Sequence, residues 1–105
     1  MPHSTRFDDR PAATSTVQVD NDRCTVTEWR FSPSSHTGWH RHQMDYVVVP
    51  MTTGELLIDT GADTIRNPLI AGQAYGRQQG VEHDVINDNP TEFVFIEIEM
   101  KDANS

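Results

Sequence analysis

Two histidines one residue apart, His40 and His42, stand in GWHRHQMDYVVV, just before a run typical of a buried strand. On an extended strand, residues two apart share a face and lie about 6.5–7 Å apart, so their imidazoles can tilt toward one metal ion. A chain with five histidines also contains such a pair by chance fairly often. The pair by itself is therefore a weak sign of a metal site.

A third histidine strengthens the metal interpretation. His83 begins a predicted strand that follows a glycine turn at Gly80 and ends at Asn87. We expect this strand start to lie across a barrel from the segment that carries His40 and His42. Three neutral imidazoles from two segments form a facial cap on a metal and leave coordination positions open. Open positions are typical of catalytic rather than structural metal sites.

Other polar side chains are weaker candidates for a pocket. Tyr75 and Arg77 alternate in sequence, so both can face an interior, where the Arg77 guanidinium could clamp a substrate carboxylate. A surface or rim position for Arg77 is the competing interpretation. Glu82 could act as a base, but its alternation with His83 points it away from the metal. His36 falls in a segment that predicts a solvated loop.

Short runs rich in Val, Ile, Thr and aromatic residues, separated by turn residues, must position these side chains. The runs are TVQVD, RCTVTEWRF, GWHRH, DYVVVPM, ELLIDT, DTIRN, QAYGR, HDVIN and EFVFIEIEM. Eight or nine strands about ten residues apart predict an all-β barrel or sandwich. We assign residues 1–15 to a mobile leader or strand-exchanging arm, 16–101 to one domain and 102–105 to a tail.

The run RCTVTEWRF leaves the direction of its side chains open. In a regular strand Glu28 and Arg30 share a face with Cys24 and Val26, which places them in the lumen or indicates a bulge before Trp29. We favour the bulge. The single cysteine allows no intrachain disulfide, and we expect its thiol to be buried and unreactive.

The formal net charge of the 105-residue chain is −8, from 16 acidic and eight basic residues. Such a surface repels phosphate backbones and anionic lipids, which argues against nucleic-acid and membrane partners. The N-terminal stretch lacks the apolar region of a signal peptide, and no segment approaches a membrane-spanning length. The cytoplasm is therefore the expected location.

The histidine segments resemble the two motifs of the cupin superfamily. The first motif reads G-x5-H-x-H-x(3,4)-E-x6-G, and its histidines and closing glycine correspond to His40, His42 and Gly54. Ser34 stands at its opening glycine. The second motif reads G-x5-P-x-G-x2-H-x3-N, with Gln78 where the proline belongs. Its other four positions are in register: Gly72, Gly80, His83 and Asn87.

The glutamate that usually completes the cupin metal site is absent. The motif spacing places that position at Tyr46 or Val47, and Asp45 is the nearest carboxylate. The resemblance thus implies a three-histidine site, like that of the thiol dioxygenase branch, with a Tyr46 phenolate or Asp45 as an alternative fourth ligand. It further implies a jelly-roll barrel, a divalent transition metal (Fe, Mn, Ni or Zn), a small-molecule ligand and a homodimer.

The segments EWRFSP, TGWHRH, DYVVVP, GVEHDVIN and EFVFIEIE also resemble small bacterial cupins called β-alanine degradation proteins. The likeness runs from Val26 to Lys101 and implies a role in the catabolism of a small amine or carboxylic acid. It leaves open whether the protein is a metal-dependent enzyme, with Tyr46 and Arg77 as candidate catalytic residues, or a non-catalytic binding or sensing module. Histidines that are merely packed are the third interpretation.

Overall fold

The computed structural model describes residues 3–101. Its nine strands are β1 (Thr14–Asp20), β2 (Cys24–Phe31), β3 (His40–Arg41), β4 (Tyr46–Pro50), β5 (Gly54–Asp59), β6 (Thr64–Leu69), β7 (Tyr75–Arg77), β8 (Glu82–Asn87) and β9 (Phe93–Met100). Each of the nine predicted runs overlaps one of these strands, so the all-β prediction is confirmed. None of the described segments is a helix long and apolar enough to cross a membrane.

The strands form two antiparallel sheets that face each other. One sheet has the order β1-β2-β9-β4-β7 and the other the order β3-β8-β5-β6. Inward-facing apolar side chains from both sheets make the main core, which consists of Phe31, Tyr46, Val48, Leu56, Leu69, Val85, Phe93 and Phe95. Residues two apart on a strand share a face. Polar side chains that share a face with these core residues therefore also point into the space between the sheets.

Strand β2 is regular, and the bulge predicted before Trp29 is wrong. β2 pairs with β9 without interruption from Cys24 opposite Met100 to Phe31 opposite Phe93. Trp29 lines the interior, so Glu28 and Arg30 lie on the outer face, where a 3.3 Å ion pair joins them. The shift in register lies in β1 instead. Cys24 is half-buried rather than buried.

The N-terminal segment lies against the outer side of the four-stranded sheet. Phe7 is buried against Leu57 and Ile86, and Arg6 forms a 2.8 Å ion pair with the fully buried carboxylate of Asp59. Arg6 and Phe7 therefore hold this segment against that face, and β1 begins two residues before the predicted domain boundary at residue 16. The mobility of the leader stays a prediction, and residues 102–105 lie outside the described residues.

Candidate metal centre

Strand pairing brings His83 beside the first two histidines. In the β3–β8 ladder His40 is directly opposite His83, so the third histidine lies on a neighbouring strand and not across the barrel as predicted. The backbone N–H of His42 donates to Val81 O at 2.9 Å, and His42 O accepts from Gly80 N at 2.8 Å. These two bonds fix the backbone of His42 next to β8.

The three imidazoles approach one another through their Nε2 atoms. His42 Nε2 lies 3.0 Å from His40 Nε2 and 3.2 Å from His83 Nε2. Two nitrogens bound at about 2.1 Å to one ion, and about at right angles to each other, are separated by about 3.0 Å. His40 Nδ1 donates to Gly38 O at 2.9 Å, which leaves its Nε2 lone pair free. The spacing and the donor type both fit a metal ion.

The protonation of these rings also fits ligation. Burial, with the charge of His40 as a second cause, lowers the pKa of His42 to about 4. Burial again, followed by the charges of His40, His42 and Arg77, lowers the pKa of His83 to about 3. Both rings are therefore neutral near pH 7, and a neutral imidazole is the form that binds metals.

A buried pair below the histidines was missed in the sequence, and the solvated loop predicted for His36 is wrong. His36 is 7% exposed, and its Nδ1 lies 2.8 Å from Oδ2 of the fully buried Asp84. Asp84 also accepts the backbone N–H of Gly38 at 3.0 Å. Gly38 O in turn accepts from His40 Nδ1. Asp84 therefore supports the orientation of the His40 ring through the backbone of Gly38.

The imidazoles open into a cavity of about 260 Å³ between the sheets. Its other walls combine aliphatic side chains and Arg41 with a set of aromatic and acidic residues: Trp29, Tyr46, Tyr75, Phe95, Glu97 and Glu99. One oxygen from each of the two glutamates and one nitrogen of His42 lie within 4.8 Å of one another. The glutamates were missed as site residues, although their alternation with the isoleucines of β9 places them on the same face as Phe93 and Phe95.

No protein-family model matches the sequence. The chain is 58% identical over 92 residues to the beta-alanine degradation protein BauB of Pseudomonas aeruginosa. These aligned residues cover 88% of this chain and 97% of BauB. It is 60% identical to a cupin domain from Bordetella pertussis Tohama I, whose crystal structure matches with a TM-score of 0.87 over 89% of this chain and 97% of that one. The chain belongs to the cupin family.

The cupin fold extends to more distant structures. A protein with a double-stranded β-helix domain from Klebsiella pneumoniae is 20% identical and superposes with a TM-score of 0.71, over 90% of this chain and 85% of that one. At this identity the likeness shows the fold alone. The jelly-roll barrel predicted from the two motifs is thereby confirmed.

The motif positions of this cupin have identifiable structural roles. Gly80 has a φ of +96°, a left-handed conformation that glycine adopts without a Cβ clash. Ser34, at the opening glycine of the first motif, has a φ of +75°, so the glycine usual at that position would relieve strain. A Cβ on Gly54 would lie 3.0 Å from Asn89 Oδ1 and 3.2 Å from Phe93, which explains why a glycine closes the motif.

The candidates for the missing motif glutamate occupy different environments in the cupin. Tyr46 is buried, and its ring stacks on His42 with 3.8 Å between centroids. Burial is the main cause that raises its pKa to about 12, so near pH 7 it is a neutral phenol in the metal-free protein. Asp45 is exposed, accepts the backbone N–H of Gln79 at 2.8 Å, and is not among the described residues that line the cavity.

Arg77 lies at the rim of the cupin cavity rather than inside it. Its side chain is exposed, and the guanidinium lies 4.6 Å from the centre of the Tyr75 ring. It lines an adjoining depression together with Tyr46, Tyr75 and His83. A role for Arg77 in binding a substrate carboxylate stays a prediction.

We expect the burial of Glu97 to make the stability of the cupin depend on pH. Burial, followed by the charge of Glu99, raises the pKa of Glu97 to about 7, while the indole N–H of Trp29 acts in the opposite direction. The unfolded chain releases this proton near pH 4.5, whereas the folded protein releases it only near pH 7. Because the folded state binds the proton more tightly, the free energy of unfolding of the wild type falls as the pH rises through that interval. In metal-free protein we expect Glu97→Gln to raise the free energy of unfolding above that interval by up to about 3 kcal/mol.

Urea unfolding of the metal-free protein at about pH 4 and about pH 8 measures this difference. The exposed Glu92, which pairs with Arg30, supplies the control variant Glu92→Gln, for which no gain at the higher pH is expected. An equal effect of Glu97→Gln at both pH values would contradict the assignment.

Proposed function

We propose that this cupin binds one divalent transition metal through His40, His42 and His83 and acts on a small molecule in catabolism. The observation that carries the proposal is the approach of three imidazole Nε2 atoms to 3.0 and 3.2 Å at the wall of a cavity. The name of BauB, which is 58% identical, supports β-alanine degradation as the pathway context.

The protein's own residues prepare the site in three ways. Gly38 O orients His40, the bonds to Gly80 and Val81 hold His42, and burial keeps His42 and His83 neutral. A bound metal would supply Lewis-acid chemistry, or oxygen activation if it is iron. The aromatic walls restrict water and leave room for a ligand of few atoms.

Metal analysis of the purified protein is the direct test. After chelator treatment and reloading with Fe, Mn, Ni or Zn under oxygen-free conditions, plasma mass spectrometry should find about one ion per chain for at least one metal. Less than about a tenth of an equivalent with all four metals would contradict the proposal and favour packed histidines.

A non-catalytic binding or sensing role is the second candidate. The absence of the motif glutamate favours it, because that motif position falls on Tyr46 or Val47 and neither side chain supplies a carboxylate. Turnover separates the two roles. A metal-loaded protein that binds a small ligand tightly, yet leaves it unchanged with every metal, is a binding module.

The homodimer and the cytoplasmic location stay predictions. The outer face of the five-stranded sheet supports self-association, because Val26, Ile98 and Val47 lie side by side on adjacent strands. Val19 on β1 extends this row and is exposed. An apolar row of this kind is typical of a surface that contacts another protein.

A further inference from the structure

Two carboxylates lie inside the barrel without a cationic partner. Glu97 is only 9% exposed, and Glu99 is half-buried beside it on the same face of β9. Every ion pair found in residues 3–101 uses other acidic side chains. Burying a carboxylate without a counter-charge costs free energy. A cationic ligand at this wall of the cavity would offset that cost.

The neighbours of the pair within the sheet are neutral. Glu97 is flanked by Thr27 and Val48. Glu99 is flanked by Thr25 and Tyr46. The nearest neighbours of the two carboxylates in the sheet are therefore hydroxyl and apolar groups. The cationic side chains closest to this wall are Arg41, which lines the cavity, and Arg77, which lies beyond Tyr46 on β7. Neither is in an ion pair found among residues 3–101.

The surrounding side chains favour an organic cation over a second metal ion. Trp29, Tyr75 and Phe95 line the same cavity, and aromatic faces attract ammonium groups. The carboxylate oxygens form a group with His42 but not with His40 or His83, and His42 is the residue that this group shares with the three imidazoles. The carboxylates thus face the space beside the imidazole cap instead of completing it.

We propose that Glu97 and Glu99 bind the primary ammonium group of a small amine or short amino acid in the cavity. The ammonium donates hydrogen bonds to both carboxylates, and the aromatic walls enclose its methylene carbons. For an amino acid, the carboxylate at the other end reaches the metal on the histidines, and this last point alone rests on the proposed function. The net charge of −8 favours the approach of such cations.

Calorimetric titration of the full chain with three matched probes tests the assignment. Propylamine and 3-aminopropanoate carry the ammonium, whereas propanoate lacks it. In metal-free protein near pH 8 we expect propylamine to bind and propanoate not to bind. Glu97→Gln and Glu99→Gln should each weaken propylamine binding at least about tenfold, the scale of one charge-assisted hydrogen bond. Glu92→Gln should leave it unchanged.

The outcomes separate this inference from the proposed function. Propylamine binding that depends on both glutamates supports the ammonium site even if no metal binds to wild type. Failure of wild type to bind propylamine, or equal binding by the double Gln variant, overturns it. Loss of metal affinity in the folded Gln variants with propylamine binding unchanged also overturns it, because the carboxylates would then be metal ligands. Circular dichroism of each variant verifies its fold.

Discussion

Replacing His42 with alanine is expected to lower the affinity for divalent transition metals at least about 100-fold, since losing even an outer-shell partner of a ligand costs about 10–100-fold. His42 Nε2 lies 3.0 Å from His40 Nε2 and 3.2 Å from His83 Nε2. Its removal leaves only the imidazoles of His40 and His83 as ligands. Competition against a chromogenic chelator measures the change for each metal.

His3→Ala is the matched control for this experiment. His3 is exposed, contacts Trp39 edge-on and belongs to none of the described groups that could hold a metal, so its replacement should leave the metal affinity unchanged. The free energy of unfolding of metal-free His42→Ala is measured in parallel. Unchanged metal affinity together with lost stability would assign a packing role to His42 and contradict the metal centre.

The second large effect concerns the asparagine that ends the second motif. Asn87→Ala is expected to lower the free energy of unfolding by about 3–5 kcal/mol, a large part of the stability of a small domain. Asn87 is 0% exposed, and its Nδ2 donates to Phe31 O at 3.1 Å and Thr91 O at 3.0 Å. Its Oδ1 accepts from Asn89 N at 2.9 Å. Alanine leaves these buried backbone groups without partners.

Guanidinium unfolding monitored by tryptophan fluorescence measures this loss. Asn21→Ala is the control, because Asn21 is exposed and only accepts turn N–H groups, from Arg23 and Cys24. Its loss should cost about 1 kcal/mol or less. If Asn87→Ala were no more destabilising than this control, Asn87 would have no structural role, and a role in the site would have to be considered.

The sequence by itself determined the strands and the identity of the three histidines that meet. Alternation of side chains and the glycine, asparagine and proline turns are local properties, so HDVIN and DYVVVPM could be read as strands without knowledge of their partners. The spacing of His40 and His42 likewise required only the two-residue repeat of one strand. The match to the second cupin motif identified His83 as the third histidine of the site.

Tertiary structure decided which strands are neighbours and which face of each is inside. His83 lies opposite His40 because β3 pairs with β8, a long-range contact that local spacing does not specify. Glu97 faces the cavity because β9 lies between β2 and β4 with its phenylalanines inward. Strand alternation defines two faces but does not say which one the opposite sheet will cover, and that choice placed the acidic wall beside the histidines.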